Sequence, residues 1–168
     1  MTCVVSAVDG DKVVMMGDHS YMQTDHHTMN GCKKVLKSGE FICGFAGFID
    51  PAMATLNAIE KTPLIGKTLD ERRNELLARF NKVQPVRANN TYLVGHKGKL
   101  YTVLPNTVLE SNVGFIGSDV NLYAIVYKYA IARGDSVKVA LASTIVFAAD
   151  YLPRYVVLDH EGPTIEEV

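Results

Sequence analysis

Short apolar runs separated by three or four turn-forming residues recur along this chain, and a joint of that length suits antiparallel neighbours. Thr2-Cys3-Val4-Val5 runs through Asp9-Gly10-Asp11 into a second run, Lys12 to Met16. Lys34 to Lys37 meets Phe41 to Ala46 across Ser38-Gly39-Glu40, and Thr91 to Val94 meets Lys99 to Val103 across Gly95-His96-Lys97-Gly98. Connections this short select hairpins, whereas parallel strands need a crossover of a dozen or more residues. The first four strands are therefore expected to be antiparallel.

Helical patterns come in pairs between these strands. Asp50-Pro51 offers an N-cap and a first-turn proline to a helix reaching about Lys61, with Met53, Leu56 and Ile59 along one face. Thr62-Pro63-Leu64-Ile65-Gly66 breaks it, and Thr68-Leu69-Asp70-Glu71 reads as a capping box for a second helix. That helix turns Leu69, Leu76, Leu77, Phe80 and Val83 toward the core and stops before Pro85. Val113 to Ile116 makes a further strand, expected to join the 91–103 hairpin in a second antiparallel sheet. Gly117-Ser118-Asp119 caps a third helix, Asp119 to Arg133, which Gly134 stops; Asp135-Ser136 begins a fourth, to about Asp150. Tyr155 to Leu158 reads as a closing strand before a polar tail, Asp159 to Val168. Strand runs and helix runs segregated in this way imply an α+β fold. Two antiparallel sheets sandwiched between two helical layers, an αββα arrangement, would bury every apolar face. With 168 residues, 48% of them hydrophobic and 21% charged, the chain can fill one core, so residues 1–168 are expected to form a single domain.

Several function classes are set aside by charge and composition. A net charge of −1 gives no broad attraction to nucleic acid or anionic lipid. No apolar run approaches the roughly 20 residues needed to span a bilayer, and the N-terminus lacks the charged start and small-residue cleavage site of a signal peptide; a cytoplasmic location is expected. The three cysteines, Cys3, Cys32 and Cys43, have no metal-ligand spacing and lie in apolar runs, so they read as buried thiols. His19, His26 and His27 fall in a polar loop without a scaffold spacing for zinc. No cofactor is expected.

The chemistry is concentrated at the beginning. Once Met1 is removed, Thr2 carries a hydroxyl nucleophile and, on the same residue, an amine able to take its proton. A free α-amine titrates at roughly 7.7–8.0, so an appreciable fraction is a base near neutrality. A retained Met1 would convert that amine to an amide. Gly17-Asp18 closes the second strand and Lys33-Lys34 opens the third, supplying a carboxylate and a cation. Cys3 is the competing nucleophile, but as the next residue of an alternating strand it should point away from whatever Thr2 faces.

These residues, with Cys32-Lys33-Lys34-Val35, Phe45-Ala46-Gly47, Ile116-Gly117-Ser118 and the ending Pro163-Thr164-Ile165-Glu166-Glu167, resemble proteasome β-type and HslV-like subunits over essentially the whole chain. Their shared order and spacing carry the resemblance. It implies an N-terminal-nucleophile (Ntn) hydrolase fold, assembled as identical subunits in stacked rings around a chamber, with polypeptide substrates and an ATP-dependent unfoldase as partner. Thr2 would be the nucleophile, Lys34 the lysine beside it and Asp18 that lysine's partner. Ser118 would hydrogen-bond near the amine, and Gly47 would give its N–H to the oxyanion hole. Asp150 would take the place of an aspartate near the end of the fourth helix. Pro153 stands where that aspartate's serine partner is usual, Phe48-Ile49-Asp50-Pro51 replaces a run of small residues, and Asp119 replaces a glycine. The substrate pocket positions fall on Tyr21, Cys32, Leu36, Phe45 and Ile49, which are mainly apolar.

The expected function is a threonine-type endopeptidase subunit acting on unfolded polypeptides. A catalytically silent ring or scaffold subunit, and an amidase of the same fold for small substrates, are the alternatives. For assembly, the apolar residues Tyr123, Val126, Tyr127, Ala130 and Ile131 of the third helix and Val139, Ile145, Val146 and Phe147 of the fourth exceed what one core face needs, and part of that surface is expected to meet another subunit.

Overall fold

A computed structural model of the chain describes residues 2–22, 28–83, 90–153, 156–158 and 162–168. The alternation of β1 (Cys3–Asp9) and β2 (Lys12–Gly17) sends successive side chains to opposite faces. Cys3, Val5, Ala7, Val14 and Met16 pack against α3 (Val120–Ala132) and α4 (Val137–Tyr151), with Tyr123, Leu141 and Ile145 opposite them. Val4, Val13 and Met15 face the other way, onto Val35, Ile42, Leu93 and Leu100 of a second sheet. That sheet runs β5 (Val35–Ser38), β6 (Phe41–Ala46), β7 (Thr91–His96), β8 (Lys99–Leu104) and β9 (Thr107–Ser111), all antiparallel. Its outer face packs Phe41, Phe45, Tyr92 and Tyr101 against Leu56, Leu76 and Phe80 of α1 (Ile49–Ala58) and α2 (Leu69–Val83). The result is an α+β, four-layer αββα sandwich with three apolar layers.

The two sheets approach closely because glycines line their interface. A Cβ at Gly44 would lie 2.7 Å from Val4 Cγ1 and 2.8 Å from Met15 Sδ. At Gly114, in β10 (Val113–Gly117), it would lie 2.7 Å from Leu93 Cδ2.

Strand partition differs from the sequence reading. The first two hairpins do not share a sheet: β1 and β2 belong to the order β10-β1-β2-β11, while β5 and β6 join β7, β8 and β9. Likewise β10 pairs with β1, Ile116 opposite Val4, and not with the 91–103 hairpin. A turn signal fixes which strands are neighbours across the turn; it says nothing of which sheet each pair enters. Strand β9 was not anticipated. It follows a two-residue turn at Pro105-Asn106. The β7–β8 turn is shorter than expected, only Lys97-Gly98, with φ of 47° and 69°; left-handed conformation at both positions is the hairpin geometry that matches strand twist.

The tail contains a strand. β11 (Thr164–Glu167) pairs antiparallel with β2 at the sheet edge, where charged residues are tolerated. Val156 to Leu158 lies outside any strand, although Val156 is buried against the α3–α4 layer, and Tyr155 is outside the described residues. A short two-stranded sheet joins β3 (Ser20–Met22) to β4 (Thr28–Asn30).

Helix ends are mostly as the sequence signals require. Thr68 Oγ1 accepts the Glu71 N–H at 3.2 Å while Glu71 Oε2 accepts the Thr68 N–H at 2.9 Å, a reciprocal capping box. Ser136 caps α4 through the Val139 N–H at 3.4 Å. Helix α1 starts one residue before Asp50, with Phe48 at the N-cap, and ends at Ala58, short of Lys61. Asp50 instead places its charge in the first turn, where it favours the helix dipole. Asp119 stands at the N-cap of α3 in left-handed conformation, φ 56°, without a side-chain cap hydrogen bond. Leu69 is exposed, so the buried face of α2 is Leu76 and Phe80 with Leu77 and Val83 at its margin.

The outward faces of α3 and α4 are apolar, but not through all the residues expected. Tyr123, Tyr127, Ala130 and Ile145 are in the core. Val120, Ile125 (64% exposed), Tyr129 (69%), Ile131, Val139, Val146, Phe147 and Tyr151 (61%) form the exposed apolar set. Among the described residues, no helix is long and apolar enough to cross a membrane, and no group of three or more His, Cys, Asp or Glu is placed to hold a metal ion. His26 and His27 lie outside the described residues.

Candidate active site

Thr2 is the residue before β1, and the β1–β2 ladder brings the end of β2 back to it: Val4 pairs with Gly17, and Asp18 follows. The Asp18 N–H donates to the Cys3 C=O at 3.1 Å, and the Cys3 N–H donates to Asp18 Oδ1 at 3.0 Å. These backbone bonds fix the carboxylate beside the start of the chain. Lys34 arrives from the other sheet, where its C=O accepts the Phe45 N–H at 3.2 Å.

Its ammonium joins the three side chains. Lys34 Nζ donates to Thr2 Oγ1 at 2.8 Å and lies 3.2 and 3.3 Å from the two Asp18 oxygens. Asp18 is fully buried, Lys34 is 2% exposed and Thr2 6%. A lysine beside a strand is more often a surface cation; here the inter-sheet packing closes over it. Burial pulls the Lys34 ammonium below the ordinary lysine range, and the adjacent Asp18 carboxylate opposes that fall. A cation pointed at a hydroxyl favours its deprotonation and would stabilise negative charge developing nearby.

Gly117 and Ser118 hold Thr2 from the other side. The Ser118 N–H donates to the Thr2 C=O at 3.0 Å, so Ser118 reaches Thr2 through its backbone. Gly117 has φ 120°, and a Cβ there would stand 1.8 Å from the Thr2 carbonyl oxygen, which excludes any other residue without displacing Thr2.

Cys3 points into the α3–α4 layer and is fully buried, as strand alternation requires. Burial pushes its thiol far above the ordinary cysteine range, the Asp18 charge adding to the effect. It is a core residue. Cys43 is also buried, its thiol pushed up to about 12 by desolvation.

Cys32, Leu36, Phe45 and Ile49 come together in one apolar cluster, Phe45 buried and the other three at its margin. Phe45 and Lys34 are hydrogen-bonded neighbours, so this cluster lies close to the charged one. Tyr21 is in β3, and its side chain lies outside what is described. Gly47 follows β6 and is exposed, with φ 127°, two residues beyond the partner of Lys34. Asp150 is exposed in the last turn of α4, and among the described residues its carboxylate forms no hydrogen bond or ion pair.

One residue at the site was missed by sequence reasoning. Asn90, 1% exposed, hydrogen-bonds both backbone groups of Phe48, the residue after Gly47. An amide at the head of a strand carries no sequence signal for a contact 42 residues away.

No protein-family model and no curated protein sequence matches the chain. Solved structures do. A eukaryotic HslV from Trypanosoma brucei superposes with a TM-score of 0.76 at 16% identity, covering 98% of each chain. The BPH of Thiobacillus denitrificans in complex with epoxomicin gives 0.73 at 10% identity, covering 99% of this chain and 96% of that one. An Anbu variant from Hyphomicrobium sp. strain MC1 gives 0.70 at 15% identity, covering all of this chain and 80% of that one. Together with the two main antiparallel sheets and the four helices among the described residues, these likenesses establish an HslV-like αββα sandwich as the fold.

Proposed function

We propose that the chain is a threonine-type endopeptidase subunit with Thr2 as its nucleophile. The observation that carries this reading is the Lys34 ammonium, buried and held between the Thr2 hydroxyl at 2.8 Å and the Asp18 carboxylate. In the proposed reaction, loss of Met1 frees the Thr2 amine. Thr2 Oγ attacks the scissile carbonyl carbon while its proton passes to that amine, directly or through water, and the Gly47 N–H meets the oxyanion. The C–N bond breaks as the amine returns the proton to the leaving group, and water then hydrolyses the ester. Charged Lys34 favours the deprotonated hydroxyl throughout, and Ser118 fixes Thr2 through its carbonyl. Cys32, Leu36 and Ile49, at the margin of the apolar cluster around Phe45, would line the substrate pocket together with Tyr21, the positions the resemblance implies, so cleavage after apolar residues is expected.

The pH profile tests these roles. Activity requires a neutral amine and a charged Lys34. The rate should rise with pH as the amine loses its proton, from an unperturbed value of roughly 7.7–8.0. It should fall again as Lys34 deprotonates, at a pH below the ordinary lysine value of 10.5. The measurement is kcat/KM for a fluorogenic peptide across pH, on chain whose intact mass shows loss of Met1. A rate indifferent to pH across this range would contradict the assignment. No turnover of peptides or unfolded polypeptide would favour the silent subunit, and turnover of small amides alone would favour the amidase.

We further propose that the exposed apolar faces of α3 and α4 are covered by a second copy of the chain in a closed double ring, which would shield folded proteins from the site. An apolar surface of this kind on a monomer invites aggregation, and shared burial removes it. Within this proposal an ATP-dependent unfoldase, carried on another chain, supplies unfolded substrate, and the assembly works in the cytoplasm. Light scattering should give a mass of about twelve or fourteen chains. A stable species of 18.4 kDa at micromolar concentration would overturn the ring.

A further inference from the structure

The side chain of Asn90 grips the peptide backbone between β6 and α1. Its Oδ1 accepts the Phe48 N–H at 2.7 Å, and its Nδ2 donates to the Phe48 C=O at 3.3 Å. Nδ2 also lies 3.5 Å from the Tyr92 hydroxyl, and the Tyr92 ring packs on Phe80 of α2 with centroids 4.8 Å apart. The amide is therefore anchored in the core at one end and closed on a single residue of the loop at the other.

Gly47 packs directly against this amide. With φ at 127°, it lies so near the amide that a Cβ would stand 2.0 Å from Asn90 Oδ1. Two consequences follow for hydrogen bonding. The Phe48 N–H is taken by Asn90 and cannot turn to a substrate. The Gly47 N–H, by contrast, has no hydrogen-bond partner among the described residues, and the held Phe48 backbone restricts the direction in which it points. A loop otherwise ending in an exposed glycine and an exposed phenylalanine thus presents one oriented donor.

We propose that Asn90 is a positioning residue that aims the Gly47 N–H at the oxyanion formed when Thr2 attacks, an inference that rests on the peptidase reading above. Asn90 touches no reacting atom. Its effect should therefore appear in the transition state and not in ground-state binding, because only a donor already in place stabilises charge as it develops.

The test uses the assembled, Met1-free protein with Asn90→Ala, and rates normalised to Thr2 sites titrated with a covalent active-site label. The expected result is a fall in kcat of ~10- to 100-fold, below the loss for deleting an oxyanion donor outright, with KM unchanged within about threefold. Affinity for a peptide boronate, which forms a tetrahedral adduct, should weaken by the same factor as kcat/KM. Should Asn90→Ala fail to fold, Asn90→Asp keeps the acceptor for the Phe48 N–H and removes the donor to its C=O, and the same pattern is expected. Unchanged kcat per titrated site, or a loss confined to KM with boronate affinity intact, overturns the role of Asn90 alone. A folded wild-type chain that neither turns over peptide nor takes the label overturns the peptidase reading with it.

Discussion

Replacing Thr2 by alanine in a chain freed of Met1 is expected to abolish peptide hydrolysis while leaving the fold and assembly in place. The substitution removes the hydroxyl that accepts from Lys34 Nζ at 2.8 Å. It leaves the backbone bond from Ser118 to the Thr2 carbonyl untouched. Loss of a covalent nucleophile reduces turnover by ~10⁴-fold or more in hydrolases that depend on one, so the residual rate should be background. Cys3→Ala is the control. Its thiol is buried in the layer under α3 and α4, so the variant should lose some stability and keep its rate per folded site. Undiminished hydrolysis by clean Thr2→Ala, or an essential Cys3, would place the chemistry elsewhere.

Asp18→Asn should produce the largest stability defect. It removes the carboxylate 3.2 Å from a lysine that is 2% exposed, and breaking a buried pair in this way costs about 3–5 kcal/mol. In whatever fraction folds, Lys34 loses the charge that holds its pKa up, so the alkaline limb of the rate profile should move to lower pH. Lys34→Ala should instead remove activity by ~10²-fold or more, since the cation facing Thr2 Oγ1 is gone. The double variant Asp18→Asn with Lys34→Met separates the two roles. Replacing a buried pair by neutral groups of similar size is often nearly neutral in stability, so denaturant midpoints should recover while hydrolysis stays lost. Near-normal kinetics in both single variants would mean that the pair has no part in the chemistry.

Local patterns carried most of what the sequence made legible. Period-two alternation put Cys3 on the helix-facing side and Val4 between the sheets, and Thr68 and Glu71 make the capping box their spacing spells. Thr2, Asp18 and Lys34 were assembled from resemblance and order, and the structure brings them within hydrogen-bond reach. Long-range choices were not legible. Whether β5 and β6 joined β2 or β7 depends on which faces pack, through contacts that no turn residue encodes. The edge strand β11 was hidden by its own glutamates, which read as a solvated tail. Asp150 was carried over by resemblance to a position that lies exposed, its carboxylate without a bonding partner among the described residues. Asn90 was invisible because its role is a contact between distant segments, made possible by the missing side chain of Gly47.

In the proposed mechanism Thr2 supplies both nucleophile and base. A peptide epoxyketone offers one electrophilic carbon to a hydroxyl and a second to an amine, so a doubly bonded adduct requires both groups on neighbouring atoms. Incubation with Met1-free protein, followed by intact-mass and peptide mapping, should show one inhibitor mass added per chain and both bonds on Thr2. A folded, Met1-free chain that takes no adduct, or takes it at Cys3 or Cys32, would contradict the account.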